Sequence, residues 1–483
     1  MGTAGADGRL RHHLRPRHHL TGRPVVPSGT AGAATSHERT AGTAAYFGSY
    51  RRAVTGLSPI ARGNTAVVKI AMVAGQVNPL LGHGTHADAA PQGLHVHLAE
   101  LSSALAGAGH EVVVYTRRED RDGPDRISAP GGYEVVQVPA GPPSPLRPEE
   151  TSSAMGEFGS FLDREWRQRP PDITHAHYWL SGLATQLATR SLGIPTVQTF
   201  HSLGTVEHRI REKTAMDASA RDRIRLERLI ARGATRMIAT SSDEVFELAR
   251  MGLPRTRTTV VPSGVDAAHY STAAAPDTTR TRKHRLLAAG PLEPGSGFDI
   301  AIEALAGIPD TELVIAAHPA PPYLSRRSDE QEKSRLVKLA RVRGVQGRVR
   351  IRRDVGRDEM PGLLLSADAV VSTPWHDPSG MLALQAMSCG RPVIATASGG
   401  MLDTVLDDAT GLLVPTRSPE AVAAAARRLL SDATTRATFG IAGRDRVLAR
   451  YTWDRVAEDT LRAYERCVPV RRTAHRTART GVQ

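Results

Sequence analysis

The chain has 483 residues, 40% of them apolar, 23% charged and only 4% aromatic. That length exceeds what one core normally supports and implies two domains whose interiors are filled by Leu, Val, Ile and Ala. Two cysteines, Cys389 and Cys467, exclude a disulfide framework and a cysteine-built metal cluster and fit a reducing cytoplasm, while the net charge of +13 falls mostly in residues 1–66 (+7) and 467–483 (+4), so the nearly neutral body argues against nucleic-acid binding.

Residues 1–66 mix Gly, Ala, Thr, Arg and His without an apolar period and are expected to form a disordered basic tail, as is the stretch 467–483. The paired Arg51 and Arg52 precede no apolar region of export-signal length. No uncharged apolar run of about 18 residues occurs, which argues against a membrane span and leaves a peripheral membrane contact open.

Ordered structure is expected to begin with the β-rich run AVVKIAMVAG (66–75). In GLHVHLAELSSALAGAGH, Leu94, Leu98, Leu101 and Leu105 lie on one face of a helix that Gly107 and Gly109 end. EVVVYT (111–116) follows as a buried strand. DITHAH (172–177) and PTVQTFHSLG (195–204) read as strands flanking a helix from Ser181 to Ser191, and they place His175, His177 and His201 at strand ends, where sites form in α/β proteins. These three histidines are spaced too irregularly to read as a metal site.

The β-α-β pattern recurs in RLLAAG (285–290), a glycine loop, FDIAIEALAGI and ELVIAA (312–317). Two such openings predict an α/β chain of two doubly wound sheets, with ligands in the crevice at the carboxyl ends of their strands. SPEAVAAAARRLL (418–430) reads as an alanine-rich packing helix opened by Ser418 and Pro419, TWDRVAEDTLRAYERC as a late amphipathic helix, and Cys389 as a buried thiol at a helix-to-strand turn.

Five segments occur in order: PDITHAHYWLSG, VQTFHSLG, TSSDEVFELARMGLPRTRTTVVPSGVD, SADAVVSTPWHDPSGMLALQAMSCGRPVIATASGGMLDTVLDDATGLLVP and RYTWDRVAEDTL. Together they resemble the retaining glycosyltransferases of family 4, in their bacterial nucleotide-sugar-dependent branch. That resemblance implies the GT-B fold of two facing Rossmann-like domains. It implies an N-terminal acceptor domain at 67–268, a linker at 269–284, a C-terminal donor domain at 285–450 and a C-terminal helix at 451–466. It further implies a nucleotide-sugar donor as partner, no cofactor and no metal, so that protein groups neutralise the departing diphosphate. The nucleotide, sugar, acceptor and oligomeric state are not specified by it.

Carried over by position, the catalytic residues are His201, facing the reacting sugar, and Asp377, which stands where the family has glutamate. Donor-binding positions are Gly93, Gly290, Pro291, Ser296, Gln385, Gly399, Gly400 and Met401, and the acceptor-side positions are His175, His177 and Trp179. The family's arginine and lysine in the second glycine loop are Pro291 and Ser296 here, and its second glutamate is Gln385. His318, Arg352 and Arg353 are the expected replacement cations. Glu207, where related enzymes often carry lysine, disfavours an anionic acceptor. The leading expectation is a retaining glycosyltransferase; the alternative is a catalytically impaired homologue acting as a binding or regulatory partner.

Overall fold

The computed structural model describes residues 67–80, 93–146, 148–210, 218–318 and 326–467. The expected tails fall outside this set, apart from Cys467. The first lobe is built on eight strands: β1 Lys69–Val73, β2 Glu111–Arg117, β3 Arg126–Ser128, β4 Glu134–Val138, β5 Ile173–His177, β6 Thr196–Thr199, β7 Arg236–Ala239 and β8 Thr258–Val260. Their order in the sheet is β3-β4-β2-β1-β5-β6-β7-β8. β3 runs antiparallel to β4; the other pairs are parallel.

The second lobe holds β9 His284–Gly290, β10 Thr311–Ala317, β11 Val349–Arg352, β12 Ala369–Ser372, β13 Val393–Thr396 and β14 Gly411–Val414. These six strands are all parallel, in the order β11-β10-β9-β12-β13-β14. Both expected β-α-β units are present, since β1 pairs with β2 across the helix Leu94–Gly107 and β9 with β10 across Phe298–Leu305. In each sheet the strand order reverses beside the first strand of that unit, and a crevice opens at such a point.

The leucine stripe read from the sequence faces the core: Leu94, Leu98, Leu101 and Leu105 are at most 2% exposed, and each such side chain removed from water contributes about 1.5–3 kcal/mol. The helix Trp453–Glu465 returns to the first lobe, burying Trp453, Val456, Ala463 and Tyr464 among Ile70, Leu101 and Val197. The connection between lobes lies earlier than the expected 269–284. Val261 belongs to the first lobe's core, whereas Val265 and Tyr270 are buried in the second. The Thr- and charge-rich stretch is instead strapped onto the second lobe, where Asp277 accepts from Arg285 and Arg352.

Candidate active site

The two lobes meet through the carboxyl ends of their strands. Thr240, one residue past β7, donates its hydroxyl to the Pro378 carbonyl in the loop after β12, at 3.3 Å. Ser242 donates its N–H and its hydroxyl to the two carboxylate oxygens of Asp403, beyond β13, at 2.5 and 2.6 Å. Arg357 of the second lobe reaches Glu100 of the first at 3.8 Å and Asp266 at 2.7 Å. The crevices expected at the strand tips therefore face one another.

On the first lobe, β6 ends at Thr199 and is followed by Phe200 and then His201, whose backbone takes the left-handed φ of 61°. Its Nε2 lies 2.9 Å from Nδ1 of His177, the last residue of β5. The helix Leu94–Gly107, entered through Gly93 at φ 80°, brings His97 against the pair. Ring centroids lie 4.9 Å from His97 to His201 and 5.7 Å from His97 to His177. Burial pushes His97 down to about 4, and drives His177 and His201 well below the ordinary histidine value, helped by their neighbours. All three rings are neutral at pH 7. A neutral imidazole can hydrogen-bond a sugar hydroxyl without repelling the positive charge of an oxocarbenium-like transition state.

His175 departs from expectation. It sits in the middle of β5, 1% exposed, with Nδ1 at 2.8 Å from the Tyr464 hydroxyl and Nε2 at 2.8 Å from the Thr199 hydroxyl. A ring with both nitrogens engaged in the core is a fixture of the packing, not a strand-end group. Trp179 opens the helix Trp179–Thr189 and is half-buried among apolar neighbours. Glu207 is held by Arg223 at 2.9 Å, and Arg223 also binds the buried Glu227 at 2.8 Å.

On the second lobe, the glycine loop closes on itself. The Ser296 hydroxyl donates to the Pro291 carbonyl at 2.8 Å, joining the two positions at which the sequence lacks its cations. Gly290 leaves β9 at φ 153°, and Gly297 caps the helix Phe298–Leu305 at φ 75°. A Cβ on Gly297 would stand 1.7 Å from the Thr373 carbonyl oxygen, so this turn and the end of β12 are built around glycine.

Asp377 uses Oδ1 to accept from the N–H groups of Ser379 and Gly380, at 2.9 and 2.8 Å, just ahead of the helix Met381–Ser388. Gln385 is half-buried on that helix. In the Ser398–Met401 turn, Gly400 N–H already donates to the Asp377 carbonyl at 2.8 Å, while Met401 N–H makes a long 3.3 Å bond to Ser398. The Ser398 hydroxyl oxygen is buried with no partner among the described residues, which leaves its hydrogen-bonding capacity open.

The expected replacement cations are committed elsewhere. Arg352 is bound by Asp277 at 2.8 Å and Glu359 at 2.7 Å, and Arg353 by Glu330. Burial lowers His318 and keeps it neutral. The two arginines neutralise carboxylates, and His318 carries no charge to add. Sequence reasoning passed over Arg417, whose guanidinium lies 4.4 Å over the ring of Trp375, and Trp375 N–H donates to Gly295 of the glycine loop at 2.8 Å. It also passed over His97, whose signal was a histidine set inside the leucine stripe.

Facing parallel sheets joined at their strand tips, with glycine turns on the donor side and His201 opposite, define the GT-B class of two-lobed transferases. Comparisons agree on both halves. Residues 92–264 match the model of the glycosyl transferase 4-like domain, and residues 273–446 that of glycosyl transferases group 1. The chain is 31% identical over 435 residues to the D-inositol 3-phosphate glycosyltransferase of Kineococcus radiotolerans, covering 84% of this chain and 97% of that protein. It is 30% identical over 430 residues to that of Salinispora tropica, covering 84% and 86%. Among solved structures, sucrose-phosphate synthase from Thermosynechococcus elongatus superposes with a TM-score of 0.71 at 26% identity, over 82% of this chain and 98% of that one. The chain belongs to the GT-B glycosyltransferases and is an enzyme of that family; the alternative of a catalytically impaired binding or regulatory homologue is not favoured.

Proposed function

We propose that this enzyme transfers a glycosyl group from a nucleotide sugar to a neutral hydroxylated acceptor, with retention at the anomeric carbon and without a divalent ion on the diphosphate. The observation that carries the reading is the neutral, buried His201 at the tip of β6, in a lobe whose strand ends meet those of the donor lobe. In this reading His201 faces the sugar. The diphosphate is held by the Ser398 hydroxyl, the main chain from Gly399 to Met401 and the closed turn from Gly290 to Ser296, with Arg417 as the nearby cation. Solved GT-B structures with UDP and with ADP and acarbose share the fold, and they support a nucleotide-linked donor.

The curated relatives are named for a phosphorylated cyclitol. In this chain Arg223 is already shared by Glu207 and Glu227, which supports an uncharged polyol over a phosphorylated one. Calorimetric titration with UDP-, GDP- and ADP-sugars tests the proposal. One of them is expected to bind in the micromolar range, and its slow hydrolysis is expected to fall about 100-fold or more in His201→Ala. Failure of every donor to bind would remove the reading.

A further inference from the structure

We infer that His97, His177 and His201 form a binding site for a late first-row divalent ion of the Zn2+ class. The three come from separate elements: the helix Leu94–Gly107, the end of β5 and the loop after β6. Each offers one nitrogen such that all three lie within 4.8 Å of one another. A four-coordinate Zn2+ holds imidazole nitrogens at about 2.0–2.1 Å, hence roughly 3.4 Å apart. The nearest nitrogens of the His177–His201 pair, His177 Nδ1 and His201 Nε2, lie 2.9 Å apart as a hydrogen bond, whose proton an ion would displace as the rings turn to that spacing.

Hydrogen bonding points the same way. Nδ1 of His97 and Nε2 of His177 are buried and have no hydrogen-bond partner among the described residues. A packed interior normally pairs such atoms, because an unpaired one keeps the whole cost of its lost hydration. Three buried imidazoles, two with an unpaired nitrogen and the third, His201, bonded through Nε2 within the cluster, are a donor set for Zn2+, Co2+, Ni2+ or Cu2+. Among the described residues no carboxylate belongs to the cluster, so it offers little to hard cations such as Mg2+.

The surroundings are those of a supported site. Trp453 lays its ring edge-on to His97 with centroids 5.3 Å apart, and His175 lies 4.1 Å from His177. With both nitrogens bonded to Tyr464 and Thr199, His175 is a wall and an orienting neighbour, not a fourth ligand. Three protein ligands leave one position of a tetrahedral ion open to water or to a sugar hydroxyl. The resemblance implies no metal, and the spacing of His175, His177 and His201 along the chain gives no metal signal; the set that the fold assembles replaces His175 with His97, from a distant helix.

The test is metal content after loading the full-length chain with Zn2+ and dialysing it. His12, His13, His18 and His19 also bear imidazoles, so the reading is a difference between variants that share them. Wild-type protein is expected to retain one equivalent more than His97→Ala, and to gain thermal stability with Zn2+ that the variant does not. Equal retention in the two would overturn the assignment. Should His97→Ala fail to fold, Co2+ in a chain carrying His12→Ala, His13→Ala, His18→Ala and His19→Ala answers the same question. Intense d–d bands of a low-coordinate imidazole site support it, and weak bands of an octahedral ion overturn it. Neither measurement depends on which sugar the enzyme transfers.

Discussion

Glu244 shows how one buried group can tie stability to pH. It lies in the first turn of the helix Ser242–Arg250, where Ser241 caps the Glu244 N–H and the Glu244 carboxylate reaches back to Thr240 N–H at 2.7 Å. Burial raises its carboxyl to about 7, against the opposing pull of the Thr240 hydrogen bonds. The folded chain therefore keeps a proton that the unfolded chain, with a glutamate near ~4.3, has released. Between those two values stability falls as pH rises, and it levels off above the higher one. Removing the carboxyl in Glu244→Gln is expected to flatten this part of the profile, a change of up to about 4 kcal/mol. Urea unfolding of both proteins from pH 4 to 8 checks it; parallel profiles would contradict the assignment.

At the scale of elements, the two glycine turns look alike in sequence and differ in what surrounds them. Gly93 and Gly297 both adopt left-handed backbone, at φ 80° and 75°. A Cβ on Gly93 would meet nothing within 4 Å among the described residues, whereas one on Gly297 would collide with the Thr373 carbonyl at 1.7 Å. Gly93→Ala is thus expected to cost about 1 kcal/mol, from backbone strain alone. Gly297→Ala should cost about 3 kcal/mol or more and displace the donor loop. Denaturant unfolding of the two variants, with nucleotide-sugar titration alongside, measures both; equal losses would show that the close approach is unimportant.

For the whole molecule, the latch between Ser242 and Asp403 is the clearest tie across the cleft. Two hydrogen bonds to one carboxylate, in a half-buried seam, contribute about 1–3 kcal/mol. Asp403→Ala is expected to speed hydrogen exchange at the amides from Ser242 to Glu247, while the cores around Leu98 and Ile302 stay protected. Unchanged exchange at that helix would mean that other contacts, among them Arg357 with Glu100 and Asp266, hold the lobes together.

The sequence by itself determined the two β-α-β openings, the leucine-faced helix, the glycine turns and the family. These rest on periodicity and turn chemistry between residues near one another in the chain. It also located His201 and the loop that lacks cations. Only the tertiary structure decided that Arg352 and Arg353 are spent on carboxylates, that His175 is sealed in the core, that the lobes connect before residue 269, and that His97 joins His177 and His201. Each of those outcomes depends on which partner lies across the fold. Strand order and helix packing set that partner, and a charge or a ring nitrogen acquires its role only once its neighbour is fixed.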